Sequence, residues 1–573
     1  MMNFRKYTNI TDVTIPNSIG LSTTDFSNMF RGMSNLVNAN IPYEKLTNMY
    51  GTYFSCYKLK GSPVCGDNVI NMYGAYYGCY NITGSPVCGA NVTNIAHAYI
   101  ACYNLTGSPA CGDKVTNMFN AYYGCNKLTG KPVCGNNVID MGRAYYNCSN
   151  LSGAPACGEN VIYMHNTYYN CTNLTGSPVC GTNVVNMKYT YYNCQNLTGN
   201  PVCGNKVTEF SSAYYNCTNL TGSPVCGTNV TSLNWTYGNC QNLTGSPVCG
   251  DKVTDMSYAY YFCRNLTGNP VCGTNVTNMK YTYYNCQNLT GNPVCGTNVV
   301  NMAYAYSNCI NLTGSPACGN NVTNMGYTYA NCQNLTGSPA CGNNVTNMSN
   351  AYSNCINLKG NPVCGNNVTN MSYAYWQCYN LTGSPACGNN VTNMSNAYYN
   401  CANLTGSPIC GSKVTDMCNA YRWCTNIKGN PVCGDNVVSM YYAYEGCRNL
   451  TGSPVCGSNV TNMIGAYYGC VNLTGSPVCG NNVSGKLYRT YFNCKNLSGT
   501  MNIYSNNIES VGWCFYGRSN SKRLNIYAYK NTTTWNSLIL TDSSSSLVGS
   551  TITWTNLTNG MYNATYNIYI YNF

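Results

Sequence analysis

Hydrophobic residues in this chain recur with a fixed period of 23 residues. In each period Leu or Ile, Val, Met and Tyr hold constant places, separated mostly by Asn, Thr, Gly and Ser. The tyrosine column runs from Tyr53 to Tyr491 without exception, and the methionine column admits only other apolar residues. A fixed period of this length is typical of a solenoid, in which each unit contacts its neighbours. The pattern therefore predicts a stack of similar rungs, each rung being one 23-residue period.

The column that directly follows the constant tyrosine is variable, which indicates the direction in which its side chains point. It contains Gly238, Trp376, Arg422 and Glu445 among its members. A packed interior position does not accept residues of such different size and charge. We therefore predict that this column faces solvent while the tyrosine beside it is buried.

The local sequence predicts the parts of each rung. "SPVC" is bounded by Gly and predicts a short strand whose Pro occupies a place that needs no hydrogen-bond donor. "NVTNM" predicts a second extended piece, and the stretch from there to "AYYNC" predicts a brief helical or 3₁₀ turn. The expected fold is a β-rich repeat solenoid with 23-residue rungs.

The ends of the chain depart from the repeat, as expected where a solenoid closes its core. "KRLNIYAY", "TITWTN" and "YNIYIYNF" alternate polar residues with Tyr or Ile and predict strands of a β-rich C-terminal cap. The predicted organisation is an N-terminal cap with degenerate repeats (1–49), the regular solenoid (50–500), a degenerate closing repeat (501–525) and a β-rich C-terminal module (526–573).

The composition narrows the function classes. Only 7% of the residues are charged, and the net charge of +12 comes from scattered Lys and Arg that form no basic run, so nucleic acid is not an expected partner. The N-terminus lacks the apolar core of a secretory signal, and no apolar stretch is long enough to span a bilayer, so no membrane insertion is expected.

All but three of the 41 cysteines fall into two columns with the same period, one from Cys56 to Cys470 and one from Cys65 to Cys479. Their spacings differ from those of zinc ligands, and the chain has only two histidines, so no metal site is expected. Repeated identical thiols also lack the singular base partner of a catalytic cysteine. Reduced thiols buried in ladders are favoured over disulfides, because parallel side chains of stacked rungs do not suit the S–S torsion.

The phrases "NVTNMSNAYYNCANLTGSP", "NNVTNMSYAYWQC", "VTIPNSIG" and "DFSNMFRGMSNL" resemble the BspA-like leucine-rich repeat family. The resemblance covers about residues 10 to 520. It implies a leucine-rich-repeat-like solenoid in a noncatalytic extracellular protein of a cell surface or virion that binds other cells, matrix or host proteins. Similar repeats in phages of gut bacteria make a tail-fibre role a second version of this expectation. The chain departs from the family in "PVCG", which replaces the usual Ile-Pro strand end, and in its lack of a visible signal peptide or anchor.

The expected function is that of a rigid recognition rod that binds a host-cell surface protein or glycan. Aromatic rings on a regular column can pack against sugars or a protein partner, although tyrosine is also an ordinary surface residue of β-structure. A purely structural spacer or virion assembly component is the alternative. No catalytic constellation is present, so neither an enzyme nor a cofactor is expected, and the sequence leaves both a monomer and an oligomer open. The candidate binding surface comprises Tyr123, Tyr146, Tyr169, Tyr192, Tyr215, Tyr261, Tyr284 and Trp376.

Overall fold

The computed structural model describes residues 4–16, 24–503, 508–510 and 513–517, together with the backbone of three strands at 524–529, 553–557 and 561–566. The chain divides into two compact units, Met1–Leu289 and Thr290–Phe573. The same rung is repeated inside each unit, and this repetition confirms the predicted solenoid. The boundaries predicted for the four sequence segments stay a prediction.

Successive rungs contact each other in parallel at the second Asn of "NVTNM". In the first unit these contacts are one-residue bridges such as Asn71 to Asn94, and in the second unit the same column bridges Asn324 to Asn347. The neighbouring Asn residues support the stack, as the Nδ2 of Asn91 shows by donating to the Asp67 carbonyl at 2.9 Å. The β-structure of a regular rung is therefore a single bridged residue, shorter than the extended piece that the sequence predicts.

The compact turn that follows the methionine is confirmed, and it also carries most of the hydrogen bonds between rungs. Within one rung, the N–H of Ala75 donates to the Met72 carbonyl at 3.0 Å. Towards the next rung, the N–H of Met72 donates to the Asn94 carbonyl at 2.9 Å, and the N–H of Tyr76 donates to the Ala98 carbonyl at 2.8 Å. The backbone N–H of every second residue in the turn thus donates to the following rung. The hydrogen bonds of this backbone are therefore made without a helix or a long strand.

The "SPVC" segment is not the strand that the sequence predicts, because its hydrogen bonds go to a side chain across the core. The hydroxyl of Tyr76 donates to the Val64 carbonyl at 2.7 Å and accepts from the Val64 N–H at 3.0 Å. The same pair of bonds recurs in each regular rung up to Tyr491 and Val478. Proline supplies no N–H, so a single tyrosine hydroxyl satisfies the central polar groups of this segment.

The constant columns form the core. Val, Met, Leu and the first tyrosine of each regular rung are essentially fully buried. The tyrosine rings stack on those of neighbouring rungs, with centroids 5.2 Å apart for Tyr53 and Tyr76 and 5.7 Å apart for Tyr214 and Tyr237. This offset stacking is the arrangement that aromatic rings prefer. It explains why the tyrosine column tolerates no change of size or shape.

The two cysteine columns differ in burial, and the structure records all of their members as free thiols. The first column is fully buried, and each thiol donates to a carbonyl of the preceding rung, as Cys148 does to Tyr122 at 3.0 Å. The second column is only half-buried, which corrects the expectation of two buried ladders. Its sulfurs lie at the edge of the rung, where Cys134 accepts from the N–H of Gly158 at 3.1 Å.

Neighbouring backbones approach closely at the glycine that follows each cysteine of the second column. A Cβ atom added to Gly158 would lie 2.3 Å from the carbonyl oxygen of Gly135 in the preceding rung. No side chain fits at that distance, so the constant "CG" pair is a requirement of rung spacing.

Short strands and one 3₁₀ turn lie at the ends of the repeat. Strand β1 (Asp12–Thr14) pairs in parallel with β2 (Asn38–Asn40), and the 3₁₀ turn Tyr43–Lys45 is the only helical segment in the described part of the chain. Near the C-terminus β3 (Gly485–Lys486) pairs in parallel with β5 (Ile508–Ser510).

The last part of the chain forms a four-stranded sheet. Strand β4 (Gly499–Ile503) is parallel to β6 (Leu524–Tyr529), whereas β8 (Met561–Tyr566) is antiparallel to both β6 and β7 (Thr553–Leu557). The order across the sheet is β4-β6-β8-β7. The predicted strands in "KRLNIYAY" and "TITWTN" are confirmed. Most of "YNIYIYNF" lies outside the described residues, apart from Tyr566 at the end of β8.

We expect Tyr214→Phe to destabilise the protein by about 1–3 kcal/mol, because it leaves the half-buried N–H and carbonyl of Val202 without their partner. Tyr215→Phe, in the adjacent half-buried column, is the matched control, and we expect it to change stability by less than about 0.5 kcal/mol. Urea unfolding of the full chain measures both values. Equal effects of the two substitutions would contradict the role assigned to the buried hydroxyl.

We also expect the protein to lose stability in alkaline solution. Burial raises the pKa of Cys125 from 9.0 to about 12 and raises that of Cys111 to about 11, and it holds the pKa of the core tyrosines well above 10.0. Below pH 9 this contribution is fully present. As the pH rises from 9 towards these folded-state values, the unfolded chain releases protons that the folded chain retains, so the free energy of unfolding falls. Urea midpoints measured between about pH 8 and about pH 11 test this, and an unchanged midpoint would contradict it.

Candidate functional site

The predicted aromatic column lies directly beside the buried tyrosines, on the outer side of the same turn. Its rings form a continuous stack over five rungs, with centroid separations of 4.6 Å for Tyr123 and Tyr146 and 4.5 Å for Tyr169 and Tyr192. Tyr261 and Tyr284 stack at 5.2 Å, and Trp376 stacks on Tyr399 at 6.2 Å. The structure therefore brings the first five predicted residues together and places the others at separate positions along the column.

The column is half-buried, and this corrects the expectation of a fully exposed surface. Each ring within the stack is covered on its faces by the rings of adjacent rungs, since the planes of Tyr146 and Tyr169 differ by only 6°. Small members such as Ser307 and Ser353 are buried. The continuous stack thus presents ring edges and hydroxyl groups to solvent, and free ring faces occur only where the stack is interrupted.

A second aromatic column, which the sequence analysis did not identify, runs parallel to the first, two residues after the methionine. Trp235 stacks on Tyr258 at 4.1 Å, and Tyr304 stacks on Tyr327 at 4.5 Å. Trp235 has φ +56° and Tyr258 has φ +58°, in the left-handed region that bulky residues rarely adopt. The signal for this conformation is present in the sequence, because the same column contains Gly and Asn at other rungs, as at Gly74.

Three further tyrosines are exposed near the N-terminal end of the repeat. Tyr57, Tyr80 and Tyr103 follow the first-column cysteines and are 41%, 39% and 45% exposed. Their rings stack at 5.0 and 5.3 Å. The N-terminal rungs therefore carry aromatic side chains on both sides of the turn.

An ion pair replaces aromatic stacking at one place in the predicted column. Arg422 and Glu445 occupy consecutive rungs, and the Nε of Arg422 lies 2.7 Å from Oε2 of Glu445. Burial raises the pKa of the Glu445 carboxyl, and the Arg422 guanidinium opposes this shift. The guanidinium also lies 5.0 Å from the ring centroid of Tyr442. The opposite charges of Arg422 and Glu445 neutralise each other, so this pair stabilises the stack and offers no free charge to a ligand.

A cleft of about 670 Å³ lies on a different side of the rungs, along the column that follows the constant valine. It is lined by Ile139, Ile162 and Val185, with Lys114 and Lys206 at its two ends. Both lysines donate to Asn side chains of a preceding rung, to Asn91 at 2.6 Å and Asn183 at 2.7 Å. These contacts tie the lysines to the stack.

The arrangement of ionisable groups offers no centre for metal binding within the described residues. No group of three or more His, Cys, Asp or Glu side chains is placed to hold a metal ion in this part of the structure. The imidazole rings of His97 and His165 each contact the ring of Phe119. Burial lowers the pKa of both histidines. Across the same residues, no helix has the length and apolar character needed to cross a membrane.

Comparison with known protein families shows a match to the BspA type leucine rich repeat region, in six copies. The matched residues are 2–106, 116–244, 211–336, 256–382 and 302–428. Together they cover most of the chain. Leucine-rich repeat families of this kind are generally non-enzymatic.

Two solved structures of bacterial proteins match the chain over part of its length. A leucine-rich repeat protein from Bacteroides ovatus is 19% identical, with 54% of this chain and 80% of that chain covered and a TM-score of 0.40. A leucine rich cell surface protein from Faecalibacterium prausnitzii is 11% identical, with 84% and 89% covered and a TM-score of 0.22. The search of curated proteins finds no match.

Proposed function

Since the chain belongs to the BspA-type leucine-rich repeat family, we propose that it is a noncatalytic extracellular recognition protein that binds a host-cell surface protein or glycan. Proteins of this family are typically found at the cell surface. We place this one on a bacterial surface or, as a second setting, in a phage tail fibre. The observation that carries the proposal is the aromatic stack from Tyr123 to Tyr215 on an otherwise polar and sparsely charged surface.

The stack suits recognition because its rings are held rigidly before any partner arrives. Each ring is fixed by its neighbours at 4.5–4.7 Å, so little side-chain entropy remains to be lost on binding. Tyrosine offers an apolar edge and a hydroxyl on the same side chain, which is the combination common at binding surfaces. Only 7% of the residues are charged, which favours polar and aromatic contacts with a partner.

A spacer role would not require tyrosine in this column, so the residues found there distinguish a spacer from a recognition protein. Its positions accept Ser307 and Ser353 without loss of the rung, so tyrosine is not required for folding there. An uninterrupted run of five tyrosines is then better explained by selection for a partner.

We expect the triple variant Tyr146→Ser, Tyr169→Ser and Tyr192→Ser to lose at least about tenfold in affinity for host cells, matrix proteins or arrayed glycans. Serine already occupies this column at Ser307 and Ser353, so the rungs should remain folded. The matched control is Tyr399→Ser with Tyr468→Ser, which changes the same column outside the run of five.

Full binding by the triple variant would exclude the column as the binding surface. A wild-type chain that binds none of these surfaces would overturn the recognition function and favour the spacer.

A further inference from the structure

The first unit contains a cleft that includes one residue of the predicted binding surface, Tyr123. It has a volume of about 530 Å³ and spans successive rungs near the N-terminus of the solenoid. One wall consists of Phe54, Tyr77, Ile100 and Tyr123, and the other consists of Tyr73, His97, Asn120 and Arg143. The first wall, here called the aromatic wall, is mostly aromatic. The second, here called the polar wall, carries the polar groups of Asn120 and Arg143.

The aromatic wall is open because the column of rings is interrupted at Ile100. Phe54 stacks on Tyr77 at 4.2 Å, and Tyr123 stacks on Tyr146 at 4.6 Å, but the rung between Tyr77 and Tyr123 carries isoleucine. At about 4.8 Å per rung, Tyr77 and Tyr123 are separated by roughly 10 Å. Each therefore turns a ring face towards the position of Ile100, and such faces suit the apolar face of a sugar ring.

The polar wall contains an acceptor that lacks a partner. Asn120 is only 8% exposed, and its Oδ1 is buried without a hydrogen bond. A buried acceptor without a partner is destabilising, and most buried polar atoms in proteins are paired. Asn120 lines the cleft, and a rotation of its carboxamide would bring this oxygen to a ligand O–H or N–H donor.

The cleft also carries an uncompensated positive charge. Arg143 is exposed at the end of the polar wall, and no Asp or Glu lines the cleft. The ion pair between Arg422 and Glu445 lies far along the sequence and does not involve Arg143. A guanidinium without an acidic partner favours a carboxylate, which it can bind through two parallel hydrogen bonds.

We propose that this cleft binds a sugar residue that carries a carboxylate. The sugar ring lies over Ile100 between the faces of Tyr77 and Tyr123, a ring hydroxyl donates to Oδ1 of Asn120, and the carboxylate pairs with Arg143. An acidic peptide side chain would satisfy Arg143 but supplies no ring for the two aromatic faces. The inference rests on the proposed recognition function and names the ligand class at one end of the aromatic column.

The test measures binding of the full chain to the methyl glycosides of N-acetylneuraminic acid and glucuronic acid, with methyl glucoside as the neutral match. Saturation-transfer NMR and calorimetry report the affinities. We expect at least one acidic sugar to bind at least about tenfold more tightly than methyl glucoside, because a charge-assisted pair is lost in the neutral sugar.

Three variants address the three contacts, and the chain itself supplies tolerated residues for each. Arg143→Asn introduces a residue found in the same column at Asn166, and Asn120→Gly introduces one found at Gly74, with positive φ in both cases. Ile100→Tyr completes the column of rings and fills the gap. We expect Arg143→Asn and Ile100→Tyr each to reduce binding of the acidic sugar at least about tenfold, and Asn120→Gly to reduce it by a smaller factor.

Asn350→Gly is the control, since Asn350 has φ +54° in the same column but lies in the other unit. Equal binding of acidic and neutral sugars, no binding of either acidic sugar, or full binding by Ile100→Tyr would each overturn the inference. If the cleft variants bind host surfaces normally while the Tyr146, Tyr169 and Tyr192 variant does not, the cleft proposal fails and the recognition function stands. If the wild-type chain binds neither sugar nor surface, both fail.

Discussion

One side-chain hydroxyl per rung determines how this solenoid is built. The tyrosine hydroxyl bonds both polar groups of the residue between the proline and the second-column cysteine, as Tyr76 does for Val64. That segment therefore needs no strand partner in a neighbouring rung. Phenylalanine has the same ring but no hydroxyl, and it appears in the ring stack only at its ends, at Phe4, Phe30 and Phe515. The tyrosine is constant because it is both a core ring and the hydrogen-bond partner of the backbone.

The remaining columns follow from the close spacing of the rungs. Cysteine is small enough to fill the space beside the tyrosine and still donates to the rung before it, as Cys148 does. Glycine follows the second-column cysteine because a Cβ would collide with the preceding rung. With these places fixed, the outer side of the turn can vary, and there an isoleucine in place of a tyrosine interrupts the stack and opens a cleft. Residues on this side can therefore change without altering the core.

The sequence alone predicts the period, the inward and outward columns, the compact turn and the free thiols, because each of these appears as a constant or a variable position. The sequence wrongly predicts a strand for "SPVC". A β-branched residue beside a proline is typical of a strand, and the pattern does not reveal that its N–H donates to a tyrosine hydroxyl, as in Tyr76, and not to a neighbouring rung. It also overestimates the exposure of Tyr146 and Tyr169, because substitution tolerance does not reveal that rings cover each other. The cleft could not be predicted, since His97, Asn120 and Arg143 become neighbours of Ile100 only once the rungs are stacked in register.

Amide hydrogen exchange at Val202 reports directly on the bond between the backbone and the core tyrosine. This residue lies in a segment with no strand pairing, yet its N–H donates to the buried hydroxyl of Tyr214 at 2.9 Å. We expect exchange at Val202 to be slowed at least about 1,000-fold relative to an unstructured chain, as for amides of the core. Exchange at the rate of an open loop, with the neighbouring turn amides still protected, would contradict it.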